Sequence, residues 1–141
     1  MKNFLLSLCC LGALLVAGCS NTSAGMAGLA IELQSVERQS DGSAVATVRL
    51  VNPNTVSYNV ASATHQIYLG DRAVGTLEIT KPMGLPSQTV GLHTGALKLE
   101  KSATLSGGST SYRLESRLVL VLWGDRNETS KLSARGTVEV K

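Results

Sequence analysis

The two histidines, His65 and His93, are the side chains whose type best suits metal binding or proton transfer. A zinc site needs three or four Cys, His or carboxylate ligands, usually at close spacing, and neither histidine has such companions nearby in the sequence. No G-x-S-x-G nucleophile turn occurs, and Gly107-Gly108 lacks the lysine of a phosphate-binding loop. We therefore expect no bound metal, no cofactor and no catalytic activity.

Charge and aromatic content narrow the classes of partner. The chain is 43% hydrophobic and only 4% aromatic, which fits one domain with an aliphatic core. Its formal charge of +3 comes from basic residues interleaved with acidic ones, whereas nucleic-acid binders gather basic residues into a patch. Arg113 and Arg117 share a strand face with Glu115, which favours a solvated surface over an anion or headgroup patch. We expect no nucleic-acid partner.

Residues 1–18 have the organisation of a secretory signal peptide. Lys2 precedes an apolar run from Phe4 to Ala17, and small residues stand just ahead of Cys19. The run has 14 residues, and a helix needs roughly 20 to cross a bilayer. A permanent membrane span is therefore not expected, and residues 1–18 are predicted to be removed from the mature protein.

Val16 to Cys19 read VAGC, which resembles the lipobox of bacterial lipoproteins. The resemblance implies that a diacylglycerol is attached to the Cys19 thiol, that the chain is cut before Cys19, and that the new amino terminus is acylated, for example with palmitate. Cys9 and Cys10 lie in the removed segment, so one cysteine remains and cannot form an internal disulfide. The alternative is cleavage by the ordinary signal peptidase, which would leave Cys19 as a free thiol.

Several acyl chains would hold the protein firmly on a membrane. Residues 19–28, the lipidated cysteine and a stretch of small and polar residues, are expected to form a flexible tether, and residues 29–141 the folded domain. Ser20 stands where an aspartate would, in enteric bacteria, retain a lipoprotein in the inner membrane. If the organism is Gram-negative and follows that rule, the resemblance favours the outer membrane, with the domain facing the periplasm.

The hydrophobic period of the domain is two residues, which predicts β-strands. Asp41-Gly42 and Gly70-Asp71 are residue pairs typical of tight hairpin turns. The segment SYRLESRLVLVLWG is the clearest strand, and we expect it in the middle of its sheet because LVLVLW would aggregate if exposed. About seven short strands at this spacing predict an antiparallel β-sandwich. The period of residues 94–106 fits a helix as well as a strand.

A proline interrupts the strand VRLVNPN at Asn52-Pro53-Asn54. Pro53 has no N–H for a strand ladder and biases Asn52 toward extended backbone, so a central strand must end here. Asparagine side chains can hydrogen-bond nearby backbone groups and close a loop. We interpret these three residues as a structural corner, not as a binding site.

Five segments, taken in order, resemble the type 2 late embryogenesis abundant domain, also called the water stress and hypersensitive response (WHy) domain. They are LAIELQSVE, ATVRLVNPNTVSYNVASATHQIYLGDRAVGTLEI, LPSQTVGL, SYRLESRLVLVLWG and ARGTVEV. The positions that match the family pattern beside Asn-Pro-Asn are Tyr68, Gly70, Gly75, Pro86 and Gly136. The resemblance covers about residues 29–140. It implies an immunoglobulin-like or fibronectin III-like sandwich with a short helix, expected within residues 96–105.

Two functions from different classes follow. The resemblance implies a cell-envelope protein that protects proteins or membrane during desiccation, freezing or osmotic stress through weak, non-catalytic contacts. The alternative is an adaptor lipoprotein that docks one periplasmic or outer-membrane partner through a free strand edge. The expected partners are thus the membrane, through the anchor at Cys19, and either stress-labile client proteins or one envelope protein.

Overall fold

The computed structural model describes residues 28–122 and 126–141. These residues form eight β-strands: β1 (Ala30–Arg38), β2 (Ala44–Asn52), β3 (Tyr58–Leu69), β4 (Arg72–Ile79), β5 (Met83–Leu85), β6 (Thr89–Leu99), β7 (Gly108–Val121) and β8 (Asn127–Val140). None of these described residues forms a helix that could span a membrane. The predictions for the signal peptide, for Cys19 and for the tether up to residue 27 lie outside the described residues.

Seven of the strands close into a β-barrel. Neighbouring strands follow the order β4-β6-β2-β1-β8-β7-β3, and β3 pairs again with β4, which completes the ring. The short strand β5 pairs with the start of β3. The strand pairs are antiparallel except β1 and β8, which meet in parallel where Val36 faces Val140. The prediction of a mainly β domain is confirmed.

Two parts of the predicted fold differ from the structure. A sandwich has two separate sheets, whereas β4 pairs with β3 on one side and with β6 on the other, which joins the two layers into one ring. The short helix expected within residues 96–105 is wrong, because β6 runs through to Leu99 and a turn follows it, in which Ala103 N–H donates to the Glu100 carbonyl at 2.9 Å. Leu97 faces inward opposite Ala44. The end of this segment of ambiguous period, up to Leu99, is therefore a strand and not a helix.

The barrel interior is aliphatic, and strand alternation builds it. In β2, the side chains of Ala44, Ala46, Val48 and Leu50 are buried while their neighbours face outward. Strand β7 lies between β3 and β8, as expected for a segment that would aggregate if exposed, and its leucines at 114, 118 and 120 are fully buried. Full burial of a leucine stabilises the fold by about 1.5–3 kcal/mol.

Glycine is required at the seam where the barrel closes. A Cβ atom on Gly75 would lie 2.6 Å from the Lys98 carbonyl oxygen on the neighbouring strand β6. The two hairpin turns predicted from the sequence also need glycine, since Gly42 and Gly70 have φ of 85° and 58°. The sequence thus supplies a glycine both where the chain reverses and where two backbones approach most closely.

The strand registers define two rims of the barrel. We call N-terminal rim the one formed by residues 28–30, by the loops 53–57 and 86–88, and by Leu122 after β7 and Arg126 before β8. These segments lie together because Ala30 faces Val51, Asn52 faces Thr89, and Asn59, just after the loop 53–57, faces Val121. The opposite rim comprises the turns 39–43 and 70–71 and the segment 100–107.

Candidate functional site

Three polar clusters contain the residues whose types suggested chemistry. The Asn52 cluster joins the loops of the N-terminal rim. The histidine chain, made of Ser116, His65 and His93, crosses the barrel interior. The Tyr68 cluster, made of Tyr68, Arg113 and Glu115, lies on the outer face of β3 and β7. In each cluster the folded barrel brings together residues that lie far apart in the sequence.

The Asn52 cluster fixes the corner that follows β2. Asn52 is 1% exposed, and its Nδ2 lies 2.8 Å from the Val56 carbonyl, 3.2 Å from that of Leu85 and 2.8 Å from that of Pro86. Its Oδ1 accepts a hydrogen bond from the Asn54 backbone N–H at 3.1 Å. Two amide hydrogens thus serve three carbonyls, and one side chain ties the loop 53–57 to the end of β5.

The other residues of the Asn-Pro-Asn stretch also belong to this corner. The Asn54 carbonyl accepts a hydrogen bond from Gln88 N–H at 3.0 Å, and its side chain lies beside Gly28, where a Cβ would be 3.2 Å from Oδ1. Pro53 is exposed. The corner therefore links the start of β1 to both loops of the N-terminal rim, and these contacts stabilise the fold.

The five remaining motif residues also have structural roles, through either their side chains or their backbone groups. Gly70 adopts positive φ, Gly75 lies at the seam, and the Pro86 carbonyl accepts from Asn52 and from the Thr89 hydroxyl at 2.8 Å. The Tyr112 ring covers Gly136, where a Cβ would lie 3.0 Å from the ring. Tyr68 belongs to the outer cluster described below. The structure spreads these residues over the barrel and does not bring them into one site.

The histidine chain is the feature that the sequence reading missed. His65 on β3 and His93 on β6 meet inside the barrel, 0% and 2% exposed, with His65 Nε2 2.8 Å from His93 Nδ1. On its other side, His65 Nδ1 lies 2.7 Å from the Ser116 hydroxyl of β7. The alternation of the strand could have predicted that His65 faces inward, since it lies two residues from the buried Ala63 and two from the buried Ile67.

The positions of the protons in the histidine chain are constrained by its last nitrogen, His93 Nε2. His93 Nε2 is buried and has no hydrogen-bond partner, and a buried N–H without a partner is rarer than a buried lone pair without one. The favoured arrangement has His93 Nδ1–H donating to His65, and His65 Nδ1–H donating to Ser116. Burial lowers the pKa of His65 to about 3, with a smaller contribution from His93, and burial lowers the pKa of His93 to about 4. Both rings are therefore neutral at pH 7.

A hydroxyl bonded to a histidine is the arrangement that activates a serine nucleophile. Here Ser116 is 5% exposed and His65 fully buried, so little of the pair is accessible to solvent. Among the residues that the structure describes, no three His, Cys or acidic side chains lie close enough to hold a metal ion. Neutral, tilted rings with centroids 5.1 Å apart are instead suited to fix the distance between β3 and β6.

The Tyr68 cluster neutralises the charge of Arg113, one of the two arginines that suggested an anion patch. The Arg113 guanidinium lies over the Tyr68 ring, 3.6 Å from its centroid, and forms an ion pair with Glu115. Both charged side chains are partly exposed, at 34% and 48%, so water screens the pair and it adds little stability. Arg117 faces Lys131 across the β7–β8 pair.

The seam between β4 and β6 leaves part of a strand edge without a ladder. The two strands pair at only three positions, Gly75 to Leu77 with Leu99 to Leu97. Among the described residues, no strand continues this ladder along the first half of β6, where Val90 and Leu92 project outward and are 46% and 51% exposed.

The closed ring of mostly antiparallel strands defines a small all-β domain, and comparison with solved structures identifies its type. The fold is similar to that of a putative late embryogenesis abundant protein (At2g46140.1), with a TM-score of 0.50 and 15% identity over 79% of this chain and 70% of that one. It is also similar to AT1g01470 from Arabidopsis thaliana, with a TM-score of 0.53 and 18% identity over 79% and 78% of the two chains. The domain thus has a late embryogenesis abundant-type fold.

No family model matches the chain, and no curated protein matches it.

Proposed function

We propose that this protein is a lipid-anchored protein of the cell envelope whose type 2 late embryogenesis abundant (WHy) domain protects proteins or membrane during drying, freezing or osmotic stress. The observation that carries the proposal is the likeness of its fold, over most of the chain, to a putative late embryogenesis abundant protein. The VAGC sequence at Cys19 supports the lipid anchor.

The barrel is physically suited to non-catalytic protection. Closure of the barrel leaves little free strand edge, so the domain does not readily form β-sheet pairs with partly unfolded proteins around it. It can therefore separate such proteins without aggregating with them. Its described surface is mostly polar, with only three large hydrophobic side chains exposed. Weak, reversible contacts of such a surface would keep labile proteins apart as water is withdrawn.

The anchor is tested by replacing its acceptor thiol. Cys19→Ser removes the sulfur to which the diacylglycerol would be attached, so the protein should move from the membrane fraction to the soluble envelope fraction. Immunoblots of the separated fractions measure the change, and Ser20→Ala is the matched control, which should stay with the membrane. A Cys19→Ser protein that remains with the membrane would contradict the lipid anchor.

Protection is tested with the domain alone. Residues 29–141 include the whole described core, and a labile enzyme dried or frozen with this domain should recover at least about twice the activity that it recovers with an equal mass of an unrelated β-sandwich protein. Activity is measured after rehydration over a range of mass ratios. Recovery equal to the control at all ratios would contradict a protective domain.

The open stretch of β6 favours a second candidate function, that of an adaptor. An extended segment of one envelope partner would add to the edge beside Val90 and Leu92, with main-chain hydrogen bonds and two apolar side chains as contacts. Crosslinking in the intact envelope from position 92 would then yield one dominant product. A protective domain would give many weak products that increase on drying.

A further inference from the structure

The exposed hydrophobic side chains are gathered on one part of the barrel. Among the described residues, the large hydrophobic side chains that are exposed are Val56 at 54%, Val90 at 46% and Leu92 at 51%. Val56 lies in a loop of the N-terminal rim, and Val90 and Leu92 lie on the outer face of β6 next to that rim. Asn52 connects them, since it bonds the Val56 carbonyl and faces Thr89, the residue before Val90.

The same rim is poor in charge. Residues 28–30 and the loops 53–57 and 86–88 contain no Asp, Glu, Lys or Arg; the charged residues near them are Arg126 before β8 and Lys81 between β4 and β5. The opposite rim is rich in charge, with Asp41, Asp71, Glu100 and Lys101 in its turns. The barrel therefore has one end with few charges, which carries exposed hydrophobic side chains, and one end rich in charge.

The chain enters the barrel at the end with few charges. Gly28 lies beside Asn54 in the N-terminal rim, and the nine residues from Ser20 to Gly28 connect it to Cys19. Nine residues span at most about 30 Å. An acyl anchor at Cys19 would therefore keep this rim within about 30 Å of the bilayer surface.

We propose that the N-terminal rim rests on the lipid surface, with Val56, Val90 and Leu92 in the interfacial layer of the bilayer. This inference rests on the proposed lipid anchor. Three half-exposed side chains bury too little area to bind a membrane strongly alone, but a tether converts their contact into an intramolecular step with a high effective concentration. The domain then stands with its charged rim toward the periplasm.

Single cysteines in the full-length lipidated protein test this orientation. Because lipidation consumes the Cys19 thiol and the other two cysteines lie in the signal peptide, Val56→Cys and Leu92→Cys each give one site for an environment-sensitive fluorophore. Ala96→Cys is the matched control, since it lies on the same exposed face of β6 but further from the rim, and Ser40→Cys reports the opposite rim.

The labelled proteins are reconstituted in phosphatidylcholine–phosphatidylglycerol vesicles that contain a spin-labelled lipid. We expect at least about twofold quenching, with a blue shift, at positions 56 and 92 and little change at 96 and 40. Flotation of the vesicles reports the anchor separately. Protein that floats but shows equal quenching at all four positions overturns the lipid-facing rim and leaves the anchor standing, whereas protein that does not float overturns both.

Discussion

Between pH 6.5 and pH 4 the protein is expected to lose stability steeply because of the histidine chain. In the folded state, burial lowers the pKa of His65 to about 3 and that of His93 to about 4. In the unfolded chain both have the ordinary value of about 6.5. Below pH 6.5 the unfolded state therefore binds two protons that the folded state excludes.

The sign and size of the effect follow from this difference. Stability is independent of these groups above pH 6.5 and falls by about 2.7 kcal/mol per pH unit below it, since each proton contributes about 1.4 kcal/mol. At pH 5 the loss is about 4 kcal/mol relative to pH 7.5, a large part of the stability of a typical domain. Urea unfolding at a series of pH values measures it.

Two variants assign the loss to the histidine chain. The triple variant His65→Leu, His93→Leu, Ser116→Ala replaces the whole polar chain by apolar groups, a change that can be nearly neutral when no partner is left unpaired. It should keep its stability between pH 6.5 and 5. His93→Leu alone should halve the slope. A triple variant as sensitive to acid as the wild type would show that other groups, and not the histidines, cause the loss.

Loss of the Asn52 side-chain donors is expected to destabilise the fold by about 2–3 kcal/mol, since buried carbonyls then lose their partners. Asn52→Ala removes the contacts to Val56, Leu85 and Pro86 and leaves a small cavity. Asn52→Asp is the sharper change, because the aspartate has the same size but its oxygens would face the carbonyl oxygens. It should be at least as destabilised as the alanine variant at pH 7.

Thermal and urea unfolding of the purified variants measure this effect. Asn127→Ala is the control, since Asn127 is exposed at the start of β8 and its replacement should change stability by less than about 0.5 kcal/mol. If Asn52→Ala unfolds like the wild type but protects a dried enzyme less well, the corner is a contact site and the structural interpretation is wrong.

The strand period predicted most of the individual strands. Strand β7 contains most of the segment SYRLESRLVLVLWG, and the glycines of the two hairpin turns have the expected positive φ. These features are local, because alternation and turn chemistry depend on neighbouring residues. The helical spacing within residues 96–105 was misleading because a local pattern does not show tertiary packing. The packing of Leu97 into the barrel decides the conformation of this segment.

Closure of the barrel and the histidine chain depend on contacts between distant residues. The ring closes through a three-residue contact of β4 with β6, and no sequence period shows that Gly75 approaches Lys98. His65 and His93 could each be predicted to face inward from their phase. Their direct contact required the registers of two strands that do not pair with each other. The proposed lipid-facing rim likewise emerges only when segments from four parts of the chain are placed together.

The most direct test of the central claim is the recovery of a labile periplasmic enzyme after bacteria are dried and rehydrated. Three strains are compared, which carry the wild-type protein, the Cys19→Ser protein at equal abundance, or neither. We predict the highest enzyme activity with the wild type, less with the unanchored protein, and least without the protein. Equal recovery in the wild-type strain and the strain without the protein would contradict its proposed role as an anchored protective domain.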